Sequence, residues 1–222
     1  MIESLYARAF GFPDQGVLNA LKILAEDLLG IGAIQFGAFK LKLHEKNPDA
    51  PLSPIYVNLR LLRSFPAVLS RAINAYDLLS SPLDYSLLAD IPTSVTPIVT
   101  GLALKTEKPM ISPRMDKKSH GSGDAIDGYF SPGLTVLLLD DLITKADSKL
   151  EAIAILTTAG LVVRDVAVLV DREQGGAAEL EKQGVALHSV FTLRQLLAYY
   201  RKTNCIDRDM YDKVLIYLVA NS

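Results

Sequence analysis

The sequence predicts an α/β fold with a central parallel sheet flanked by helices, and three observations predict it. Two continuous apolar runs, Val136–Leu139 and Val166–Val170, read as strands buried on both faces. From residue 84 onward, apolar segments alternate with helical patterns, the signature of a parallel sheet covered on both sides. Gly160 and Gly184 stand where two of those helices should stop.

The elements follow in order. Residues 13–29 form an amphipathic helix: Pro13 and Asp14 supply start signals, and Val17, Leu18, Leu21, Leu24, Ala25 and Leu28 recur at spacings of three and four. In 38–43, Phe39, Leu41 and Leu43 alternate with Lys40 and Lys42, giving a strand with one apolar and one cationic face. A second alternation sets Ile55, Val57 and Leu59 opposite Tyr56, Asn58 and Arg60. A helix is expected near 65–79. Strands at 84–91, 134–141, 163–171 and 185–191 then alternate with helices at 95–105, 147–159 and 176–183. Residues 112–123 lack periodicity and read as a mobile loop. The tail, 192–219, reads as two helices whose tyrosines, Tyr199, Tyr200, Tyr211 and Tyr217, serve packing or a dimer surface rather than base stacking.

At 222 residues the chain is expected to form one α/β domain, 1–222. Half of it is hydrophobic, yet no apolar run reaches the ~18 residues of a membrane span. The first twelve residues lack the apolar core of a signal peptide. A single cysteine, Cys205, excludes an internal disulfide and agrees with a reducing, cytoplasmic setting. A net charge of −2 argues against a general nucleic-acid binder.

The chemistry concentrates between Thr135 and Lys149. A buried strand ends in two adjacent carboxylates, Asp140 and Asp141. A polar turn follows, and Asp147 and Ser148 open a helix. The free N–H groups and positive dipole end of that helix attract a phosphate, and Thr144 and Ser148 add hydroxyl donors. The aspartates repel phosphate but suit ribose hydroxyls, or Mg²⁺ held through water. The 112–123 loop carries Arg114, Lys117, Lys118 and His120 and ends in Gly121 and Gly123. Such a loop can close over an anionic leaving group. Arg172 follows the run Val166–Val170, where an arginine can clamp a carboxylate bidentately or pair with Asp171 or Glu173.

Together these segments resemble the orotate phosphoribosyltransferases. The matching stretches are F-G-A-F-K-L-K (Phe36–Lys42) with S-P-I-Y-V-N (Ser53–Asn58), P-M-I-S-P-R-M-D-K-K-S-H-G-S-G (Pro109–Gly123), the acidic strand end, and D-R-E-Q-G-G (Asp171–Gly176). The resemblance implies a type I phosphoribosyltransferase fold with a small N-terminal hood, acting on phosphoribosyl pyrophosphate (PRPP) and orotate with Mg²⁺. By the same resemblance Asp140 and Asp141 contact ribose, and Thr144, Lys145, Ala146, Asp147 and Ser148 wrap the 5-phosphate. Lys42 meets pyrophosphate and orotate, Tyr56 stacks on the pyrimidine, and Arg114 binds PRPP. Lys118 and His120 occupy catalytic-loop positions, and Arg172 binds the orotate carboxylate. The loop is expected to reach into the other subunit of a homodimer.

The chain also departs from the family pattern. Leu43-His44 replaces Ser-Gly and is followed by an insertion around Glu45–Leu52; Met115 stands for a lysine. Asp90 stands where the pyrophosphate loop commonly begins with glycine, and its charge is expected to repel pyrophosphate unless Mg²⁺ intervenes. Ala146 replaces a glycine, so φ < 0 is expected there if the loop binds phosphate. Two alternatives stay open: a PRPP- or nucleotide-binding regulatory protein without catalysis, and the same transfer to another base.

Overall fold

The computed structural model describes residues 15–40, 45, 47–115 and 125–220. Its contacts group the chain into two compact units, one formed by the segments up to Val68 and from Thr192 onward, the other by Leu69–Phe191.

In the first unit, helix α1 (Gln15–Gly30) is followed by an antiparallel hairpin of β1 (Ile34–Phe39) and β2 (Ser53–Val57). Helix α1 follows the predicted stripe, with Leu18, Leu21, Leu24, Ala25 and Leu28 all buried. Strand β2 keeps the predicted alternation: Ile55 and Val57 are buried and Tyr56 is exposed. The cationic alternation placed at 38–43 meets β1 only at its end, and 41–43 lie outside the described residues. The two tail helices are α6 (Leu193–Lys202) and α7 (Arg208–Ala220), numbered after those of the second unit. Thr192 and Gln195 close a reciprocal capping box at the start of α6. The tail tyrosines pack, as expected: Tyr200 is fully buried and donates to the Ala25 carbonyl at 2.6 Å, and Tyr199 donates to Glu26. Cys205 is a free, exposed thiol.

The second unit contains α2 (Pro66–Ser80, entered from the first), β3 (Leu87–Asp90), α3 (Thr96–Thr106), β4 (Met110–Pro113), β5 (Ile126–Asp127), β6 (Thr135–Ile143), α4 (Asp147–Thr158), β7 (Val162–Asp171), α5 (Gly176–Glu181) and β8 (Ala186–Thr192). The sheet order is β5-β4-β3-β6-β7-β8. Strands β4, β3, β6 and β7 run parallel, and β5 joins β4 antiparallel. Val136–Leu139 and Val166–Val170 are wholly buried, the burial on both faces that their composition predicted. Gly160 (φ 83°) and Gly184 (φ 71°) end their helices in left-handed turns that a Cβ would oppose. Among the described residues no helix is long and apolar enough to cross a membrane.

One prediction is corrected. The segment 112–123 is not a loop from its start, because Ser112 and Pro113 complete β4 and pair with Asp127 and Ile126. Four residues ending in proline are too short to show period-two alternation, so neither β4 nor its two-residue partner was readable.

Candidate functional site

Strand order fixes where a ligand can sit. From β3 the chain turns to β4 on one side, then returns to β6 on the other. The order therefore switches between β3 and β6, and the crevice beyond their carboxyl ends is the favoured ligand position in such sheets. Asp90, the last residue of β3, pairs with Leu139, so Asp140 and Asp141 emerge at this point. Ile143 of β6 pairs with Asp171 of β7, and the Arg172 N–H donates to the Ile143 carbonyl at 3.1 Å. The second unit thus brings Asp90, Asp140, Asp141, the turn 144–148 and Arg172 to one end of the sheet.

The two acids differ in environment. Asp140 is 5% exposed. Its Oδ1 accepts the Asp141 N–H at 2.8 Å, and its Oδ2 meets the ammonium of Lys149, itself 5% exposed. The same ammonium donates to the Leu142 carbonyl at 2.5 Å and lies 3.4 Å from Ser148 Oγ. Burial pushes the Asp140 carboxyl up to about 7, against the opposing pull of Lys149. The Tyr76 hydroxyl, fully buried, donates to the Asp140 main-chain carbonyl at 2.6 Å. Asp141 is half-buried, and its carboxylate accepts the neighbouring Leu142 N–H at 2.8 Å.

The turn brings Thr144, Lys145, Ala146, Asp147 and Ser148 to the N-terminus of α4. Thr144 and Ser148 are half-buried and Lys145 and Asp147 exposed. Ala146 caps the helix at φ 68°, ψ 4°, so the expectation of φ < 0 is overturned. The turn keeps the left-handed geometry that glycine would supply, held by burial of the alanine methyl in the core and by the Leu150 N–H bond to its carbonyl at 2.9 Å. Asp90 also differs from expectation. It is fully buried, and its two oxygens accept the hydroxyls of Thr96 and Ser112, so its charge turns into the protein rather than standing open to an anion.

Arg172 is 8% exposed. Asp171 beside it accepts the Glu173 N–H at 2.8 Å, and burial raises its carboxyl above the ordinary range against that bond. Arg114 sits just beyond β4 and grips Asp127 with two nitrogens, one of them Nε at 3.0 Å. That hydrogen bond holds the Asp127 carboxyl below its usual range. Tyr56 belongs to the first unit, where it stacks on Phe39 with ring centroids 5.5 Å apart. Lys42, Lys118 and His120 lie outside the described residues.

Sequence reasoning missed Lys149. A signal was present: Lys149, Ala152, Ile153 and Leu156 share the buried face of α4 at helical spacing, and a lysine in an apolar stripe calls for a buried acid.

A parallel sheet of this order, with an acidic pair near the end of β6 at its switch point and a helix N-terminus beyond, has the type I phosphoribosyltransferase fold. No protein-family model matches the chain. The orotate phosphoribosyltransferase of Chlamydia caviae is 36% identical over 173 residues, covering 77% of this chain and 81% of that protein. The chain belongs to the orotate phosphoribosyltransferase family. The bifunctional enzyme PyrF/PyrE of Nostoc sp. is 32% identical over 193 residues, 87% of this chain. The structure of Leishmania donovani UMP synthase superimposes with a TM-score of 0.79 at 32% identity over 90% of this chain. The chain spans 39% of the Nostoc protein and 42% of the Leishmania one.

Proposed function

We propose that the protein transfers the 5-phosphoribosyl group of PRPP to orotate, giving orotidine 5-phosphate and pyrophosphate in pyrimidine biosynthesis. The observation that carries this reading is the acidic strand end set at the sheet's switch point over the N-terminus of α4. Family membership adds the base and the donor.

In the proposed reaction the bond from ribose C1 to pyrophosphate breaks as the bond from C1 to the orotate nitrogen forms. Positive charge develops on the ribose ring, and negative charge on the leaving group. The acidic end of β6 takes the ribose hydroxyls. The 144–148 turn takes the 5-phosphate on the N–H groups of α4. Arg172 clamps the orotate carboxylate and Tyr56 stacks on the pyrimidine. Arg114, Lys42, Lys118 and His120 serve the pyrophosphate side, the last two stabilising the leaving group or moving a proton. For Arg114 this means exchanging the Asp127 carboxylate for a phosphate oxygen.

Among the described residues no group of three His, Cys, Asp or Glu side chains could hold a metal. In this reading Mg²⁺ arrives on the pyrophosphate, with the half-buried Asp141 reached through water. When bound there, Mg²⁺ neutralises charge on the departing pyrophosphate. We further propose a homodimer as the working unit.

A spectrophotometric assay with orotate, PRPP and Mg²⁺ tests the reading. Orotate should be consumed with stoichiometric release of pyrophosphate. Tight PRPP binding without turnover would instead establish the regulatory alternative, which the engagement of Asp140 by Lys149 favours. Turnover of another base with orotate inert would overturn the assignment of Arg172.

A further inference from the structure

The buried ion pair between Lys149 and Asp140 has no role in the reaction as proposed above. Lys149 reaches back from the first turn of α4 to the strand it follows. Its ammonium meets Asp140 Oδ2 and the Leu142 carbonyl, while Asp140 Oδ1 is taken by the Asp141 N–H. Both oxygens of Asp140 are therefore engaged inside the protein, and the residue is 5% exposed. Asp141, one position on along an extended strand, points to the opposite side and is half-buried.

We infer that Lys149 is a positioning residue that draws Asp140 inward, so that recognition of the ribose hydroxyls falls on Asp141 alone. The inference rests on the phosphoribosyl-transfer reading and divides the labour within its acidic pair. A buried carboxylate held by a cation and one main-chain N–H gains nothing by turning toward a neutral hydroxyl, because the ammonium would be left without a counter-charge away from water. Asp141 loses only the bond to its neighbour's N–H. The pair also lowers the net negative charge at the strand end from two to one. It joins the strand end to the helix whose N-terminus is to take the phosphate, so ribose and phosphate contacts are set by one rigid corner.

Calorimetry with PRPP and Mg²⁺, together with steady-state kinetics, tests this on four proteins. Against wild type, Asp141→Asn should weaken PRPP binding by at least tenfold. The double variant Asp140→Asn with Lys149→Met, which removes both charges at once, should lose much less, within about threefold. Lys149→Met alone should raise KM for PRPP by about tenfold while KM for orotate and kcat stay within threefold. A merely structural loss would lower the active fraction, and with it kcat, without favouring one substrate. If the double variant loses PRPP as severely as Asp141→Asn while its circular dichroism and melting curve match wild type, Asp140 is a ribose ligand and the inference is overturned. Equal effects of Lys149→Met on both substrates would overturn it too. Wild-type protein that binds no PRPP would instead overturn the functional reading on which it rests.

Discussion

Ala146 holds φ at 68° in the turn before α4, and the residue is 3% exposed. A left-handed alanine costs about 1–2 kcal/mol. Glycine would relieve that but lose more chain entropy on folding, about 0.5–1 kcal/mol, and would forfeit about 0.8 kcal/mol of buried methyl. The opposing effects are of similar size. Ala146→Gly should therefore leave stability within about 1 kcal/mol of wild type in urea denaturation. Because the turn already has the glycine-like geometry, PRPP affinity should also change by less than about threefold (~0.6 kcal/mol). Tenfold tighter binding in Ala146→Gly would show that strain at this residue limits the site. Alanine here thus leaves the turn's shape intact, although the sequence reads as if it should not.

At the scale of elements, α5 supports that same turn. A Cβ added at Gly176 would lie 2.6 Å from Ile143 Cγ1 and 2.6 Å from the Thr144 carbonyl oxygen. The first is a core side chain and the second is main chain, so neither yields cheaply. Gly176→Ala should destabilise the protein by about 1–3 kcal/mol, as overpacking does, and should displace Thr144 enough to weaken PRPP binding. Thermal melting and calorimetry would show both losses, and a variant that melts and binds like wild type would contradict the contact. The same corner shows what the sequence could and could not disclose. Its strands β6 and β7 were legible from the apolar runs Val136–Leu139 and Val166–Val170, four and five residues long and too short for a buried helix. The start of α4 was legible from Asp147 and Ser148 in its first turn. The conformation of Ala146, the inward turn of Asp90 toward Thr96 and Ser112, and the grip of Lys149 on Asp140 were not. Ser112 reaches Asp90 through sheet order, which a linear pattern does not encode, and Ala146 takes its conformation from packing in the core; Lys149 did leave a signal, as a lysine in the apolar stripe of α4. Strands β4 and β5 escaped notice for a plainer reason, being four and two residues long.

At the scale of the whole molecule, the resemblance places Lys118 and His120 on a loop that serves a neighbouring subunit, so assembly and activity become one question. A two-fold dimer is the commonest assembly of soluble proteins, and a crossing loop makes each site depend on two chains. Light scattering at micromolar concentration should give twice the mass of the 24.2 kDa chain. The sharper measurement mixes two inactive variants. Lys118→Ala removes the loop's cation but leaves the strand end intact, and Asp141→Asn does the reverse. Each homodimer then carries two damaged sites. In a hybrid with crossing loops, one site combines both defects and the other has neither. Random exchange makes about half of all dimers hybrid, and one site in each is whole, so the mixture should recover about a quarter of wild-type activity. A loop that acts within its own chain would leave every site with one defect, and mixing would then recover nothing.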